Sequence, residues 1–591
     1  MDKCREISLY HYLKPYKKSL ILGPLFKLFE AAVELLLPFF LARLIDEGLR
    51  RGEAGPVWTY IGLMLLLVCA GAGAAFACQY MASVCSQAFA RALREAGLKK
   101  VMEAEQVALE RLGQGSILNR LTADINQIAL ALAMAIRLLS RAPFLCIGSL
   151  VCAFVLYPPY AWYMLWAVLL TSALLFGLMW LCVRHYRRSQ TALDRLVWRV
   201  RDNLSGLFTL RAFSREEAER QNWTRENQCY SQESRRAGNY TALMNPFSTL
   251  IFNLLIALLV YLAPRALRLG DLSQGQLIAF INYLNQIVLA MMVVANLVIL
   301  YPRAYTAQLR LKEVLALESE AGAQRLRRNS APGGTKRCQE EPGRPAPLLR
   351  VAGLSYRYPG AQAPALEDLD FCLAEGESLG LIGSTGAGKS TLLRLIQGLD
   401  FPERGAIYWR GQTLCSMDLS QLRQSQAVVP QQSQLLAGSL RENLCLGLPA
   451  DKLPSESELW SALETAQAAD FVRDRGGLDQ PVETGGANYS GGQRQRLAVA
   501  RALLRPAELY LLDSASSALD YRTEKKLMQG LAQRLEGKAL ICISQRVHCV
   551  RGLGRILVLD QGRPVGLGSH QELLSSCQIY RELAASQMEE A

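Results

Sequence analysis

The sequence has 591 residues, of which 51% are hydrophobic and 20% charged, and its formal net charge is +13. This length exceeds one ordinary domain, so two large units are expected. The basic residues are not accompanied by a basic-aromatic recognition module, which argues against nucleic acid as a partner. The 15 cysteines show no CxxC or Cys/His spacing and therefore predict no zinc centre.

Membrane spans are predicted from windows in the first 300 residues that contain few or no charged side chains. A helix needs about 20 apolar residues, at ~1.5 Å per residue, to cross the hydrocarbon core. One window is too long for a single crossing, and Tyr157-Pro158-Pro159 divides it into the end of the third span and the fourth span. The windows predict an all-α domain with six spans and are 20–42, 54–90, 142–183, 237–264 and 272–302.

The connections between the spans indicate the orientation in the membrane. Two of them, 91–141 and 184–236, are long, helical in periodicity and free of Pro, and a hairpin of that length projects roughly 35 Å. Arginines crowd 184–236, whereas the short connections on the other side carry few, so the long connections are expected in the cytoplasm. The sequence thus predicts a multi-pass protein of the cell membrane, surrounded by lipid. A short amphipathic helix is expected on the membrane surface at 10–16.

The sequence changes character after the sixth span. We expect a transmembrane domain over 1–317 and a flexible linker over 318–348, which is rich in Pro, Gly and Arg. From 349 to 591, short apolar strands alternate with helical segments, which is typical of a mostly parallel α/β domain.

A complete phosphate-binding loop (P-loop) opens this second domain. The segment 378–382 before it is predicted as a strand and 391–395 after it as a helix, which is the context that the motif needs. Backbone N–H groups of such a loop surround the phosphates at a helix N-terminus, the lysine contacts the β and γ phosphates of ATP, and Ser390 binds Mg²⁺. The predicted ATP-binding residues are Gly383, Ser384, Thr385, Gly386, Ala387, Gly388, Lys389, Ser390 and Thr391.

A second Mg²⁺ anchor is predicted at the end of a buried strand. The segment 509–513 reads Leu-Tyr-Leu-Leu-Asp, so its apolar run ends in the carboxylate of Asp513. The distance of about 120 residues from the P-loop supports this assignment.

The segment between these two motifs carries a family resemblance. Ser490-Gly491-Gly492-Gln493 resembles the signature of ATP-binding cassette (ABC) proteins, and six spans followed by a cassette resemble a half-size ABC exporter over nearly the whole chain. Residues 203–213 are similar to the coupling segment of that family. The resemblance implies an α/β P-loop domain with a helical subdomain. It also implies that two cassettes dimerise head to tail, so that the signature of one chain completes the ATP site of the other.

Three further positions are interpreted through the resemblance. Tyr358 matches the aromatic residue that stacks on adenine, and Gln431 matches the glutamine that contacts Mg²⁺ and senses the membrane domain. Asp520, in Ser517-Ala518-Leu519-Asp520, matches the loop that crosses between two cassettes.

Two positions depart from the family pattern. Ser514 stands where a catalytic glutamate follows the strand aspartate, and Gln545 stands where a switch histidine follows Ser544. A serine hydroxyl is too weak a base to activate water at neutral pH, and glutamine cannot take up a positive charge. The site is therefore predicted to bind ATP without turning it over.

The sequence thus resembles the degenerate-site subunit of a heterodimeric bacterial exporter of the multidrug type. The expected partner is a homologous half-transporter that supplies the glutamate and histidine, and the expected cargo is a small hydrophobic or amphipathic compound. The alternatives are a homodimeric exporter and a regulatory membrane protein gated by ATP.

Ionisable residues inside the first span are a further candidate feature. Glu30 and Glu34 are four residues apart and share one helix face. They either attract cationic substrates or take up protons, or they pair with Lys27 or face an aqueous cavity without a specific role.

Overall fold

The structure, a computed structural model, describes residues 8–269, 271–320, 322 and 347–588. The chain divides into two compact units: Met1–Glu103 with Leu112–Leu317, and Ala104–Arg111 with Glu318–Ala591. Most of the linker predicted at 318–348 lies outside the described residues.

The described part of the first unit is helical. Turns of π-helix at Leu44–Leu49, Arg120–Asp124 and Ala135–Leu139 continue or join the α-helices. The α-helices are α1 (Tyr10–Leu13), α2 (Lys17–Arg43), α3 (Ala54–Glu103), α4 (Gln106–Leu112), α5 (Gln114–Asn119), α6 (Ile125–Met134), α7 (Arg141–Leu156), α8 (Pro158–Ser205), α9 (Leu207–Ala212), α10 (Glu216–Leu269) and α11 (Gln274–Leu315).

Long apolar helices confirm the predicted helical membrane domain. Among the described residues, five helical stretches are long and apolar enough to cross a bilayer: Ala54–Glu103, Gln114–Leu156, Pro158–Ser205, Glu216–Arg268 and Gln274–Val294. The sixth long helix, α2, has 27 residues and carries Lys27, Glu30 and Glu34 near its middle, so its composition is more polar. The break predicted at Tyr157 is present, because α7 ends at Leu156 and Tyr157 is extended.

Pro38 interrupts the backbone hydrogen bonds of α2. Pro38 has no N–H and cannot bond the carbonyl of Glu34 one turn earlier. The side chain of Gln286 on α11 donates to that carbonyl at 2.9 Å, and the hydroxyl of Tyr283 donates to the carbonyl of Leu35 at 2.9 Å. Backbone groups at membrane depth need partners within the protein, so the two side chains join α11 to α2 at the proline.

Ion pairs involve the three charged residues near the middle of α2, Lys27, Glu30 and Glu34. Lys27 Nζ lies 2.7 Å from a carboxylate oxygen of Glu30, as one of the two interpretations expected. Glu34 pairs instead with Arg141 on α7, whose Nη2 lies 2.6 Å from Glu34 Oε1. Because both glutamates face a cation, neither pair offers a net negative charge to a substrate that carries a single positive charge.

The described residues of the second unit form three sheets. A six-stranded sheet has the order β12-β11-β3-β10-β9-β6, a four-stranded antiparallel sheet has the order β2-β1-β4-β5, and β7 pairs with β8. The strands are β1 (Leu349–Tyr356), β2 (Leu366–Leu373), β3 (Ser378–Gly383), β4 (Arg404–Trp409), β5 (Gln412–Thr413), β6 (Gln426–Val429), β7 (Gly438–Ser439), β8 (Pro481–Val482), β9 (Leu509–Asp513), β10 (Ala539–Ile543), β11 (Arg555–Asp560) and β12 (Arg563–Gly568).

Helices pack on these sheets and form the predicted α/β fold. One buried apolar cluster lies between the two larger sheets, and another joins α14, α15 and α17 to β6 and β9. The α-helices are α12 (Lys389–Ile396), α13 (Leu419–Gln424), α14 (Leu440–Leu444), α15 (Glu456–Thr465), α16 (Ala469–Asp474), α17 (Gly491–Leu503), α18 (Tyr521–Arg534), α19 (Val547–Val550), α20 (His570–Ser576) and α21 (Gln578–Met588).

The segment 104–111 belongs to the second unit through its own contacts. Ala104 forms an isolated β-bridge with Ser319. Arg394 on α12, the helix that follows the P-loop, donates to Glu110 at 3.1 Å and to the buried carboxylate of Asp400 at 2.6 Å. Within the second unit, this short stretch thus contacts the helix that follows the P-loop.

Candidate nucleotide-binding site

The strand register brings the predicted site residues to one edge of the six-stranded sheet. Asp513, the last residue of β9, lies beside Ile543 of β10, which in turn pairs with Leu381 of β3. Because these strands are parallel, their carboxyl ends meet at the same edge, where α/β proteins place their ligands. Gln431 follows β6 at this edge, since Val429 pairs with Leu512 of β9.

The P-loop joins β3 to α12. Ser384, Thr385 and Gly386 are exposed, whereas Ala387 is buried beneath them. Gly388 has φ +92°, and a Cβ at this position would lie 2.7 Å from the carbonyl oxygen of Ala365. Glycine therefore allows both the left-handed turn and the close packing at the start of the helix.

The side-chain ammonium group of Lys389 bonds the backbone at the start of the P-loop. Its Nζ donates to the carbonyls of Gly383 at 2.8 Å and Ser384 at 2.7 Å. Burial lowers the pKa of Lys389, while the nearby Asp513 opposes that shift. The buried cation thus lies where the loop carries peptide N–H groups and a helix N-terminus, an arrangement that suits a polyphosphate.

Asp513 is a buried carboxylate next to the loop. Burial raises the pKa of Asp513, and hydrogen bonds from Ser390 and Ser514 and the charge of Lys389 counteract the rise. The loss of water around the buried carboxylate disfavours its ionised form. The oxygens of Asp513 and Ser390 are of the type that a Mg²⁺ ion takes as ligands.

The two positions that depart from the family pattern follow the carboxyl ends of the neighbouring strands β9 and β10. Ser514 adopts φ +51°, its N–H donates to the carbonyl of Ile543 at 3.0 Å, and its Oγ lies 3.5 Å from Asp513 Oδ1. Gln545 is exposed, and its backbone carbonyl accepts a hydrogen bond from Gln587 at 2.8 Å. The backbone of both loops is held in place, so the departure concerns side-chain chemistry.

The remaining residues of the predicted site lie near the loop or at the sheet edge. Tyr358, after β1, is partly exposed, and its hydroxyl lies 3.0 Å from Oγ1 of Thr391 at the start of α12. Gln431 is exposed. The structure therefore brings Tyr358 next to the P-loop helix, where its ring is available to a base.

The signature residues form the N-terminus of α17. Ser490 is the N-cap, and its side chain and that of Gln493 bond each other's backbone N–H groups in a capping box. A Cβ at Gly492 would lie 2.8 Å from the carbonyl oxygen of Ala518, so this turn packs closely on the loop after β9. Ser490 and Gly491 are exposed, and Asp520 caps α18 through the N–H of Thr523 at 3.0 Å. The first two residues of the signature are therefore accessible at the surface.

Two residues that the sequence analysis missed organise this region. Gln495 bonds Ser514, Ser517 and Ala518 from the signature helix. Glu524 on α18 is fully buried and accepts hydrogen bonds from residues on and before α19. In the sequence, Gln495 interrupts the apolar positions of α17, and this could have marked it as a buried polar residue. No comparable pattern marks Glu524.

The described residues fit ATP and Mg²⁺ at this edge. Lys389 and the P-loop N–H groups would hold the phosphates, Ser390, Asp513 and Gln431 would surround the metal ion, and Tyr358 would contact the base.

Comparisons with known proteins agree with this geometry. Residues 20–291 match the family model described as the ABC transporter transmembrane region, and 366–517 match the model described as ABC transporter. An uncharacterized ABC transporter ATP-binding protein of Mycobacterium tuberculosis is 32% identical over 98% of this chain and 97% of its own. An ATP-dependent lipid A-core flippase of Alkalilimnicola ehrlichii is 27% identical over 97% of this chain and 95% of its own. A solved bacterial Atm1-family ABC exporter with ATP bound has a TM-score of 0.75 at 22% identity and covers 97% of this chain and 98% of its own, which shows the shared fold.

Proposed function

Because the chain belongs to the ABC transporter family and is a half-transporter of the exporter type, we propose that it is the ATP-binding but weakly hydrolytic subunit of a heterodimer. Ser514 carries this proposal. The residue after Asp513 must orient and deprotonate the attacking water, and a hydroxyl 3.5 Å from that aspartate cannot do so at neutral pH. Hydrolysis of ATP at the partner's site would then supply the free energy for transport.

The signature supports a role in trans. Ser490 and its capping box are intact, and the exposed turn of Ser490 and Gly491 is available to a second chain. We infer that it completes the ATP site of a homologous partner that carries the missing glutamate and histidine. The short helix α9 supports a second chain as well, because Phe208 is 85% exposed and Phe213 is 75% exposed at its ends. Aromatic side chains of this size are usually covered in an assembly.

The membrane and cargo are parts of the same proposal. The chain would lie in a bacterial cell membrane with the second unit in the cytoplasm, and it would export small hydrophobic or amphipathic compounds. The flippase of Alkalilimnicola ehrlichii is named for an amphiphile, which favours this class of cargo. A homodimer is the second candidate, because two copies of an intact signature could serve two identical sites. A regulatory protein gated by ATP binding would lack flux.

ATPase activity in lipid separates these functions. The purified chain should be nearly inactive alone and active with its partner half-transporter, and Ser490→Ala in this chain should abolish the activity of the pair. Brisk hydrolysis by the chain alone would support the homodimer. An active pair without ATP-dependent flux of any compound would support the regulatory protein.

A further inference from the structure

The ion pair of Glu34 and Arg141 lies within the helices of the membrane domain. At ~1.5 Å per residue, Arg141 is ~24 Å from the short connection at Tyr157, and Gln286 is ~18 Å from the start of α11 at Gln274. Glu34 lies at the same level because Arg141 Nη2 bonds its carboxylate at 2.6 Å and Gln286 Nε2 bonds its carbonyl at 2.9 Å. The distances of ~24 Å and ~18 Å are both shorter than the ~30 Å of the hydrocarbon core, so three helices place polar groups inside it.

A cavity of about 350 Å³ opens beside this pair. The side chains of Glu34 and Arg141 are 30% and 27% exposed, so the pair is accessible from the cavity. Three polar and several apolar side chains line it, including Glu34, Arg141, Gln286, Leu145, Leu289 and Val293. A site with an apolar wall and a few convergent polar groups is typical of one that binds a small molecule.

The second ion pair of α2 provides an internal comparison. Lys27 and Glu30 lie one to two turns away, yet their side chains are only 9% and 13% exposed and do not line this cavity. Each of these two charges is compensated by the other, and their burial leaves little room for a ligand. Ionisable groups at membrane depth are costly, and a pair that remains accessible in a cavity is a candidate for binding.

We propose that Glu34 and Arg141 bind the charged ends of a zwitterionic amphiphile as cargo. A cargo with a single charge would have to separate the pair and leave one member without a counterion, which is strongly unfavourable in such surroundings. A zwitterion supplies a new counterion to each member of the pair, because its acidic group bonds Arg141 and its ammonium group bonds Glu34. Its apolar body contacts Leu145, Leu289 and Val293. This inference rests on the proposed export function.

Three probes with the same fluorophore test it. Nε-dansyl-lysine is a zwitterion, dansylcadaverine is a cation and N-dansyl-6-aminohexanoate is an anion. Their binding to the purified pair of half-transporters in nanodiscs is followed by fluorescence, and their ATP-dependent uptake is followed in inside-out proteoliposomes. The natural chain should bind the zwitterion most tightly. In Arg141→Gln the preference should shift about tenfold toward the cation, and in Glu34→Gln about tenfold toward the anion.

Controls separate binding from folding and from transport. The double variant Lys27→Gln/Glu30→Gln should leave the preference among the probes unchanged. The exchange Glu34→Arg/Arg141→Glu keeps a pair and should keep zwitterion binding, so it tests the inference even where a single variant fails to fold. Equal loss of all three probes in both single variants, or no change of preference, overturns the cavity inference. A pair that binds the probes but takes up none with ATP overturns the export function instead.

Discussion

Gln495 donates a hydrogen bond from its side-chain Nε2 to the backbone carbonyl of Ser514, 3.1 Å away. The same nitrogen lies 2.9 Å from Ser517 Oγ, and the N–H of Ala518 donates to Gln495 Oε1 at 3.1 Å. The buried side-chain amide of Gln495 on α17 therefore holds the loop that carries Ser514, the residue that stands in place of the catalytic glutamate. The signature, which we propose acts on the partner's ATP, and the loop beside the chain's own Asp513 form one connected element.

Replacing Gln495 by leucine should loosen this element. The variant removes three hydrogen bonds and leaves the N–H of Ala518 without its partner, while the carbonyl of Ser514 keeps only the N–H of Ser517, so the free energy of unfolding should fall by about 1–3 kcal/mol. Amide hydrogen exchange over 514–518 should accelerate, and the ATPase activity of the pair should fall. Gln529→Leu, on the exposed face of α18, is the control and should change neither. Unchanged exchange in Gln495→Leu would show that the loop is held by other contacts.

Restoring the missing base should give the isolated chain activity. A positioned general base contributes about 10²–10⁴-fold to a hydrolysis rate, so Ser514→Glu should raise the ATPase activity of the chain alone at least tenfold. The gain is expected at the lower end because position 514 has φ +51°, which non-glycine residues rarely adopt. Adding Gln545→His should raise the rate further.

Ser514→Ala is the matched control for that experiment. It removes the hydroxyl without supplying a base and should leave the low activity of the isolated chain unchanged. A large loss of activity in Ser514→Ala would mean that the serine itself takes part in hydrolysis, which contradicts the proposed degeneracy.

The pH range over which the chain binds nucleotide should be narrower than the ordinary pKa values of aspartate and lysine would give. Burial raises the pKa of Asp513, so Mg²⁺-dependent ATP affinity should fall on acidification at a higher pH than for an ordinary aspartate. Burial lowers the pKa of Lys389, so affinity should fall on the alkaline side at a lower pH than for an ordinary lysine. Titration with a fluorescent ATP analogue checks both limbs, and Asp513→Asn or omission of Mg²⁺ should remove the acidic limb.

The same shift has a consequence for stability without ligand. Because the folded chain binds the proton of Asp513 more tightly than the unfolded chain does, its stabilising contribution is present below the unfolded pKa and is lost as pH rises through the folded pKa. Mg²⁺ and ATP should therefore stabilise the chain more at neutral pH than at acidic pH. An equal stabilisation at both pH values would show that Asp513 does not face the metal ion.

The nucleotide-binding elements could be predicted from sequence because their information is local. The P-loop lies between a strand and a helix that the flanking residues predict, and the structure places β3 at Ser378–Gly383 and α12 at Lys389–Ile396. The break at Tyr157 was predictable for the same reason, since two prolines follow it directly.

Partners that are distant in the chain could not be predicted in this way. Arg141 is 107 positions from Glu34, and only the packing of α2 against α7 brings them together. No periodicity or motif encodes such a contact. Lys27 is the nearest cation in the sequence, so only the partner of Glu30 could be predicted and that of Glu34 could not. The partners of Glu524 could not be predicted for the same reason, because Arg546 lies just before α19 and His548 lies on it, more than 20 positions away.

Glu524 should be essential for the stability of the second unit. Its carboxylate is fully buried and lies 2.7 Å from Arg546 Nη1, 2.9 Å from His548 Nε2 and 3.0 Å from Cys549 Sγ. Burial alone would raise the pKa of Glu524, but hydrogen bonds from Cys549, Ser516, His548 and Arg546 outweigh it and hold the pKa below its usual value. Removing one member of a buried charged network leaves the others uncompensated, so Glu524→Gln should cost about 3 kcal/mol.

The pH dependence of unfolding tests the role of Glu524 more sharply than one stability value. A depressed pKa means that its contribution is present above the unfolded pKa of a glutamate and is lost as pH falls through the folded pKa. Thermal unfolding of the full chain in detergent, compared between neutral and acidic pH, should thus show a smaller acid destabilisation in Glu524→Gln than in the natural chain. Glu536→Gln, at an exposed site two residues after α18, should match the natural chain at every pH. If Glu524→Gln follows the natural chain instead, the carboxylate is not ionised in the folded state and the network is held by neutral hydrogen bonds.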